Sequence, residues 1–201
     1  MRALGVFATA PIPGWVKLRL AEEVGPSTAA EIYSQIGRRV VEAAAASGHR
    51  TTVWYAPSHE GEYVREWLEG LGRVELRPQS GGNLGARLAH AFARHFAEDA
   101  DRAVIVGTDC PGIDRRLITE AFTALGTFDA VLGPTLDGGY YLLGLRAAQP
   151  ALFHDIPWAS AAVAAQTRTR SQELGLTLRL LKPLRDVDTA RDARALGFLK
   201  P

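Results

Sequence analysis

Lys17 and Arg19 stand two residues apart, shortly after Gly14. Far along the chain come three aspartate-bearing stretches, Gly107-Thr108-Asp109-Cys110-Pro111, Asp137-Gly138-Gly139 and Asp186-Val187-Asp188, each preceded by an apolar run. These residue types suit one kind of chemistry. A phosphorylated substrate carries clustered negative charge, which Lys17 and Arg19 can neutralise, the arginine through its two-pronged guanidinium. Gly14 lets a backbone pass close to phosphate oxygens. Carboxylates repel phosphate, so a divalent cation has to stand between them. Mg²⁺ prefers one or two carboxylates together with phosphate oxygens and water, and Asp109 and Asp188 suit that task. Such an ion would also stabilise the charge that develops as a bond to phosphorus breaks.

Each residue also has an ordinary role open to it. Lys17 and Arg19 can be solvated surface charges. Asp109 and Asp114 can be helix caps, as can Asp188 ahead of Thr189 to Asp192. Asp137-Gly138-Gly139 can be a plain turn. What favours a site is the shared placement of these groups, each just after a strand, because ligands of open parallel sheets bind beyond the carboxyl ends of the strands. Trp15 and Trp158 fall in loops, where either can flank a base or sugar, whereas Trp54 and Trp67 fit a core.

The elements that must position these groups alternate along the chain. Ala3 to Ala8 predicts a buried strand leading into the Pro11-Ile12-Pro13-Gly14 loop. Thr28-Ala29-Ala30-Glu31 has capping-box spacing and opens a helix whose apolar residues run from Ile32 to Ala44, closed by Gly48. Thr51 to Ala56 predicts a strand, Glu60 to Leu71 a helix and Val74 to Arg77 a short strand. Asn83 starts a helix to about Ala97. The strand Ala103 to Val106 follows, then a helix from Asp114 to about Leu125. Two strands, Asp129 to Leu132 and Tyr140 to Leu145, flank a connection too short for a helical crossover, so they pair antiparallel or lie apart in the sheet. A helix from about Ser160 to Leu174, the strand Leu176 to Leu181 and a short last helix complete the order. This pattern predicts an α/β protein of three layers, α/β/α, with helices on both faces of a mainly parallel mixed sheet, as one domain over residues 1–201.

Composition narrows the partners. The chain has 201 residues, 47% hydrophobic, and its 23 Lys+Arg against 22 Asp+Glu leave a net charge of +1. A balance so near zero carries no footprint for nucleic acid. No apolar run approaches the ~20 residues that span a bilayer. Ala8-Thr9-Ala10 looks like a cleavage site, but the apolar stretch before it is shorter than a signal core, so a first strand in a cytoplasmic protein is the expectation. The single cysteine, Cys110, cannot close an internal disulfide, and the Asp109 charge beside it disfavours a thiolate nucleophile. No Gly-x-Gly-x-x-Gly, P-loop or Gly-x-Ser-x-Gly motif is present, which argues against a dinucleotide-binding dehydrogenase, a P-loop nucleotidase and an α/β-hydrolase.

The stretch Ala8-Thr9-Ala10-Pro11-Ile12-Pro13-Gly14-Trp15-Val16-Lys17-Leu18-Arg19-Leu20 resembles the N-terminal loop of the radical-SAM/selenodomain-associated transferases, a family of the glycosyltransferase-A-like nucleotidyltransferase superfamily. The likeness continues through Gly82-Asn83-Leu84-Gly85-Ala86-Arg87, Gly107 to Pro111, Gly133 to Gly144, Ile156-Pro157-Trp158 and Arg185 to Thr189. It implies a nucleotide-diphospho-sugar-transferase sheet with one antiparallel strand. It also implies that the first loop, with Ala10, Pro13, Gly14, Lys17 and Arg19, holds a nucleotide's phosphates, with Arg87 a further phosphate or base contact. Asp109 and Asp188 become the metal-side carboxylates for Mg²⁺ (or Mn²⁺), and Asp109, Lys17 and Arg19 the catalytic set. Asp137, Gly138, Gly139 and Trp158 fall to the acceptor. The expected protein is a metal-dependent transferase using a nucleoside triphosphate or a nucleotide sugar, with a small-molecule nucleotide and acceptor as partners and neither nucleic acid nor membrane insertion. The base, the acceptor and the oligomeric state stay open. Leu18 stands where the family often has Thr, Asn83 where it often has Asp, and Ala159-Ser160 where it often has Ser-Thr. These departures motivate an alternative, a nucleotide-binding regulatory domain without turnover.

Overall fold

The apolar runs pair into one sheet in the computed structural model, which describes residues 1–158 and 160–200; Ala159 and Pro201 lie outside the described residues. The strands are β1 (Arg2–Thr9), β2 (Arg50–Ala56), β3 (Glu75–Pro78), β4 (Arg102–Gly107), β5 (Ala130–Pro134), β6 (Tyr140–Leu145) and β7 (Leu178–Leu180). Their order across the sheet is β3-β2-β1-β4-β6-β5-β7. All neighbours run parallel except β6, which is antiparallel to both β4 and β5. The short connection from Pro134 to Tyr140 permits that reversal, because no crossover helix is needed between antiparallel strands.

The helices are α1 (Leu18–Val24), α2 (Pro26–Ala45), α3 (Gly61–Trp67), α4 (Leu84–Ala97), α5 (Arg115–Ala124), α6 (Val163–Glu173) and α7 (Ala190–Ala195), with a 3₁₀ turn at Pro150–Phe153. Successive strand residues face opposite ways. Leu4, Val6, Val104 and Val106 pack with Tyr33 and Val40 of α2, Trp67 of α3 and Phe122 of α5. Ala3, Ala103, Ile105 and Leu132 pack on the other face with Leu88 and Phe92 of α4 and Ala164 of α6. Two layers of helices therefore cover the sheet. A smaller cluster of Leu20, Ile32, Ile36, Val187 and Ala190 joins α1, α2 and α7 at one end.

Local signals behaved unevenly. Asn83 and Asp114 cap their helices as expected, accepting from Ala86 N at 2.9 Å and Leu117 N at 2.8 Å. The capping box at Thr28 does not form. Helix α2 starts at Pro26, with Gly25 before it and no side-chain cap, because proline is well placed in a first turn and Ala29 N–H already donates to Gly25 O at 3.1 Å. Thr189, not Asp188, caps α7, in a capping box with Asp192. The segment between Gly14 and Gly25, expected as loop, contains α1, which buries Leu20.

Candidate active site

The carboxyl ends of β1, β4 and β5 and the start of β6 share one edge of the sheet, and the polar residues collect there. Backbone bonds hold the segments together. Leu181 N–H donates to Leu132 O at 2.9 Å, Leu184 N–H to Pro134 O at 3.0 Å and Val187 N–H to Asp109 O at 3.1 Å. The chain from 181 to 187 thus runs beside β5 and crosses to the end of β4. Because alternate residues of an extended segment face the same way, burial of Val187 in the small end cluster leaves Asp186 and Asp188 half-buried on the cleft side.

A hydrogen-bonded chain fixes the ends of β1 and β4. Thr9 N–H donates to Tyr33 Oη at 2.8 Å, that hydroxyl lies 2.6 Å from Thr108 Oγ1, and Thr108 Oγ1 donates to Phe7 O at 3.1 Å. Burial, and then the neighbouring Asp109 charge, push the Tyr33 phenol up to about 12, so it stays neutral and can serve as a link in that chain. Neither Tyr33 nor Thr108 stands out in the sequence as a site residue; their buried hydroxyls, facing each other across 75 positions, are visible only in three dimensions.

Lys17 occupies the centre. Its side chain is 5% exposed, and its Nζ pairs with Asp109 and lies 3.0 Å from Asp188 Oδ1. Burial alone would lower this ammonium, but Asp109 and then Asp188 outweigh it and hold it above the ordinary lysine range. Its backbone is left-handed, φ 49°, a conformation uncommon for a residue with a Cβ. The sequence leads one to expect a cation free to meet phosphate; the structure shows it engaged with two carboxylates. Arg19 is the freer cation, 69% exposed, with one long contact of 3.5 Å to Asp188 Oδ2.

Asp109 and Asp188 therefore meet on one ammonium. A second grouping lies alongside. Asp137, Asp186 and Asp188 each offer an oxygen within 4.8 Å of the others. Burial, and then the charges of Asp188 and Asp137, push the Asp186 carboxyl up to about 6. Three crowded hard oxygen donors fit Mg²⁺ or Mn²⁺. Asp186 is absent from the expected metal set, although its Asp-x-Asp spacing with Asp188 was the available signal. Asp137, assigned to an acceptor, belongs to this acidic group, its Oδ1 accepting from Gly139 N at 3.1 Å and from Thr135 Oγ1.

The remaining expected residues divide between the cleft and its supports. Gly14 is exposed at φ 83°, and a Cβ built there would meet nothing within 4 Å, so its backbone is open to a ligand. Pro13 is exposed, while Ala10 is buried and spends its N–H on Ala56 O at 2.8 Å. Arg87 donates from Nε to Gly82 O at 2.9 Å and from Nη1 to Gln79 Oε1 at 3.4 Å. Gly138 is packed by the chain on its Cβ side. A Cβ there, at φ 97°, would run into the Ala161 carbonyl, and Gly138 O accepts from Ala164 N at 2.9 Å, so this glycine serves close chain packing. Gly139 lines the cleft. Trp158 packs against Gly85, where a Cβ would come within 2.6 Å of its Nε1, and meets Tyr140 edge-on at 6.4 Å. Cys110 is buried, and burial together with Asp109 pushes its thiol well up, consistent with a packing role.

Three connected spaces surround these groups. One, of about 350 Å³, is bordered by Trp15, Gln79, Leu84, Arg87 and Lys17. A second, of about 440 Å³, holds Lys17, Arg19 and Asp109 with the acidic group. The third, of about 590 Å³, extends past Arg19 and Asp137 to Leu84, Trp158 and Val163. Among the described residues, no helix is long and apolar enough to cross a membrane.

Comparison with known proteins gives three kinds of result. The model of the family described as "Uncharacterized protein conserved in bacteria (DUF2064)" matches residues 39–160. No curated protein matches the chain. Among solved structures, a protein from Desulfovibrio desulfuricans G20, described as a "putative nucleotide-diphospho-sugar transferase", is 32% identical with a TM-score of 0.91, over 97% of this chain and 85% of that one. A cytidylyltransferase from Leptospira borgpetersenii serovar Hardjo-bovis shares the fold at 15% identity and TM-score 0.63, covering 97% of this chain and 84% of its own. A Mycobacterium tuberculosis H37Rv protein in complex with manganese does so at 15% identity and TM-score 0.54, covering 98% of each chain.

Proposed function

The chain belongs to this family of bacterial proteins, DUF2064, and we propose that it is a divalent-metal-dependent transferase acting on a nucleoside triphosphate or a nucleotide sugar. The observation that carries the proposal is the meeting of four aspartates, 109, 137, 186 and 188, with Lys17 and Arg19 at the carboxyl edge of the sheet. The likeness at 32% identity to a protein described as a "putative nucleotide-diphospho-sugar transferase" supports it, as does the manganese in complex with a protein of the same fold. The narrower affiliation with radical-SAM/selenodomain-associated transferases rests on the sequence motifs. One sheet built from strands of both chain ends supports a single domain over residues 1–201.

The nucleoside fits the space beside Trp15, Gln79 and Arg87, with phosphates over Gly14 and towards Arg19. Asp188, with Asp109, Asp137 and Asp186 around it, would hold Mg²⁺ or Mn²⁺, which supplies charge neutralisation at the phosphates. The acceptor lies in the recess between Arg19, Asp137 and Trp158. In nucleotidyl transfer an acceptor oxygen attacks the α-phosphorus and pyrophosphate departs. In glycosyl transfer it attacks the anomeric carbon and the nucleoside diphosphate departs. Either way the chain's own residues position the reactants and neutralise charge. Leu18, 58% exposed at the cleft where the family often carries a hydroxyl, favours a second possibility, a nucleotide-binding regulatory domain without turnover.

The test is a thermal-shift screen of nucleoside triphosphates and nucleotide sugars with and without Mn²⁺, followed by mass spectrometry of products with a panel of phospho-acids and sugars. Stabilisation that requires Mn²⁺ and disappears in Asp188→Ala is expected. Absence of any stabilising nucleotide overturns the proposal, and binding without product across the panel favours the regulatory domain.

A further inference from the structure

The cleft carries four carboxylates against two cations, and the cations are unevenly shared. Lys17 Nζ sits between Asp109 and Asp188, and Arg19 touches Asp188 alone. Among the described residues, neither Asp137 nor Asp186 has a cationic side chain within ion-pair distance. Lys17 reaches its position from a left-handed backbone, and its ammonium is removed from solvent, so both carboxylates are its principal compensation. An ammonium and a divalent ion cannot occupy one gap between the same two oxygens.

We propose that Lys17 is an internal counter-ion that excludes the metal from Asp109 until nucleotide phosphates offer its ammonium another partner. The inference rests on the metal-dependent function proposed above and gives Lys17 a positioning role in it. In the free protein a divalent cation finds uncompensated charge only on the Asp137 and Asp186 side of Asp188. Arrival of phosphates gives Lys17 a competing anion, and its release opens Asp109. Metal and nucleotide therefore bind with positive coupling, and linkage makes that coupling equal in both directions. Asp109 alone is thereby closed to metal in the absence of substrate, by a residue of the loop proposed to meet the phosphates.

The test is titration of the nucleotide-free protein with Mn²⁺ alone, by calorimetry and by loss of the free-ion electron paramagnetic resonance signal. Lys17→Met should bind Mn²⁺ roughly tenfold more tightly than the unaltered chain, because a like charge has left and Asp109 is unlocked. Adding Asp109→Asn to Lys17→Met should cancel most of that gain. Asp109→Asn alone should change the Mn²⁺ dissociation constant by less than about threefold, since Lys17 already occupies that carboxylate; this second variant keeps the test open if Lys17→Met fails to fold. Unchanged or weaker Mn²⁺ binding in folded Lys17→Met, or a tenfold loss in Asp109→Asn alone, overturns the role of Lys17. If no variant binds Mn²⁺ at all, it is the metal-dependent function that fails, and this inference falls with it.

Discussion

Two charged clusters in this molecule both join carboxylates to cations and are balanced in opposite ways. At the outer edge of the sheet, Arg77 grips Glu98 through two bonds of 2.6 and 3.1 Å, Arg94 adds one of 3.0 Å, and Arg50 and Glu75 complete the group. Three arginines face two glutamates, and the Arg77 hydrogen bonds hold the Glu98 carboxyl down at about 2. At the cleft, four aspartates face two cations, and the Asp186 carboxyl is pushed up to about 6. The edge cluster is satisfied by its own chain. The cleft cluster is short of positive charge, which is the condition of a group that awaits a cationic partner.

Neutralising one member of each cluster separates the two. Asp186→Asn should weaken Mn²⁺ binding roughly tenfold while leaving the melting temperature unchanged or a few degrees higher, because it relieves like-charge crowding. Glu98→Gln should leave Mn²⁺ binding alone and lower stability by about 1 kcal/mol, roughly 2–4 °C for a chain of this size. Calorimetry and thermal melts on both variants read the two effects; a loss of metal affinity in Glu98→Gln, or a clear destabilisation by Asp186→Asn, would erase the contrast. A pH-dependent effect comes from the histidine beside the edge cluster. His95 is buried, and burial lowers its pKa to about 4 from an ordinary 6.5, while its Nε2 accepts from Trp54 Nε1 at 3.2 Å. The unfolded chain therefore takes up a proton that the folded chain refuses, so stability falls as pH drops from about 6.5 towards 4. Melts over that range should show a shallower decline in His95→Gln than in the unaltered chain.

The sheet and its layers were legible because burial writes itself as period: alternating or continuous apolar runs for strands, and Ile32, Ile36 and Val40 for α2. Tyr140–Leu145 is placed as expected to the residue. Helix α1 was hidden because Pro13-Gly14 and Gly25-Pro26 bracket a segment of only seven helical residues, whose one buried side chain gives no period. The site was legible as a list of charged groups at strand ends, since topology alone puts those ends together. Its internal pairing was not. Whether Lys17 turns to a substrate or to Asp109 depends on a left-handed residue and on the path of 181–187, neither of which leaves a periodic trace. Gly138 was ambiguous for a related reason: a missing Cβ marks a close approach without saying whether ligand or chain makes it, and here the Ala161 carbonyl does on the Cβ side.

The strap from 181 to 187 is anchored at its start, where Leu181 and Leu184 join the main core, whereas its far end is held by the Val187 N–H bond to Asp109 O and by Val187 in the small end cluster. A fluctuation that frees only the far end, from 185 to 188, would displace Asp186 and Asp188 and leave the central strands intact. Such partial opening needs less free energy than melting the sheet. Warm or mildly denaturing conditions should accordingly abolish Mn²⁺ binding before the circular dichroism changes.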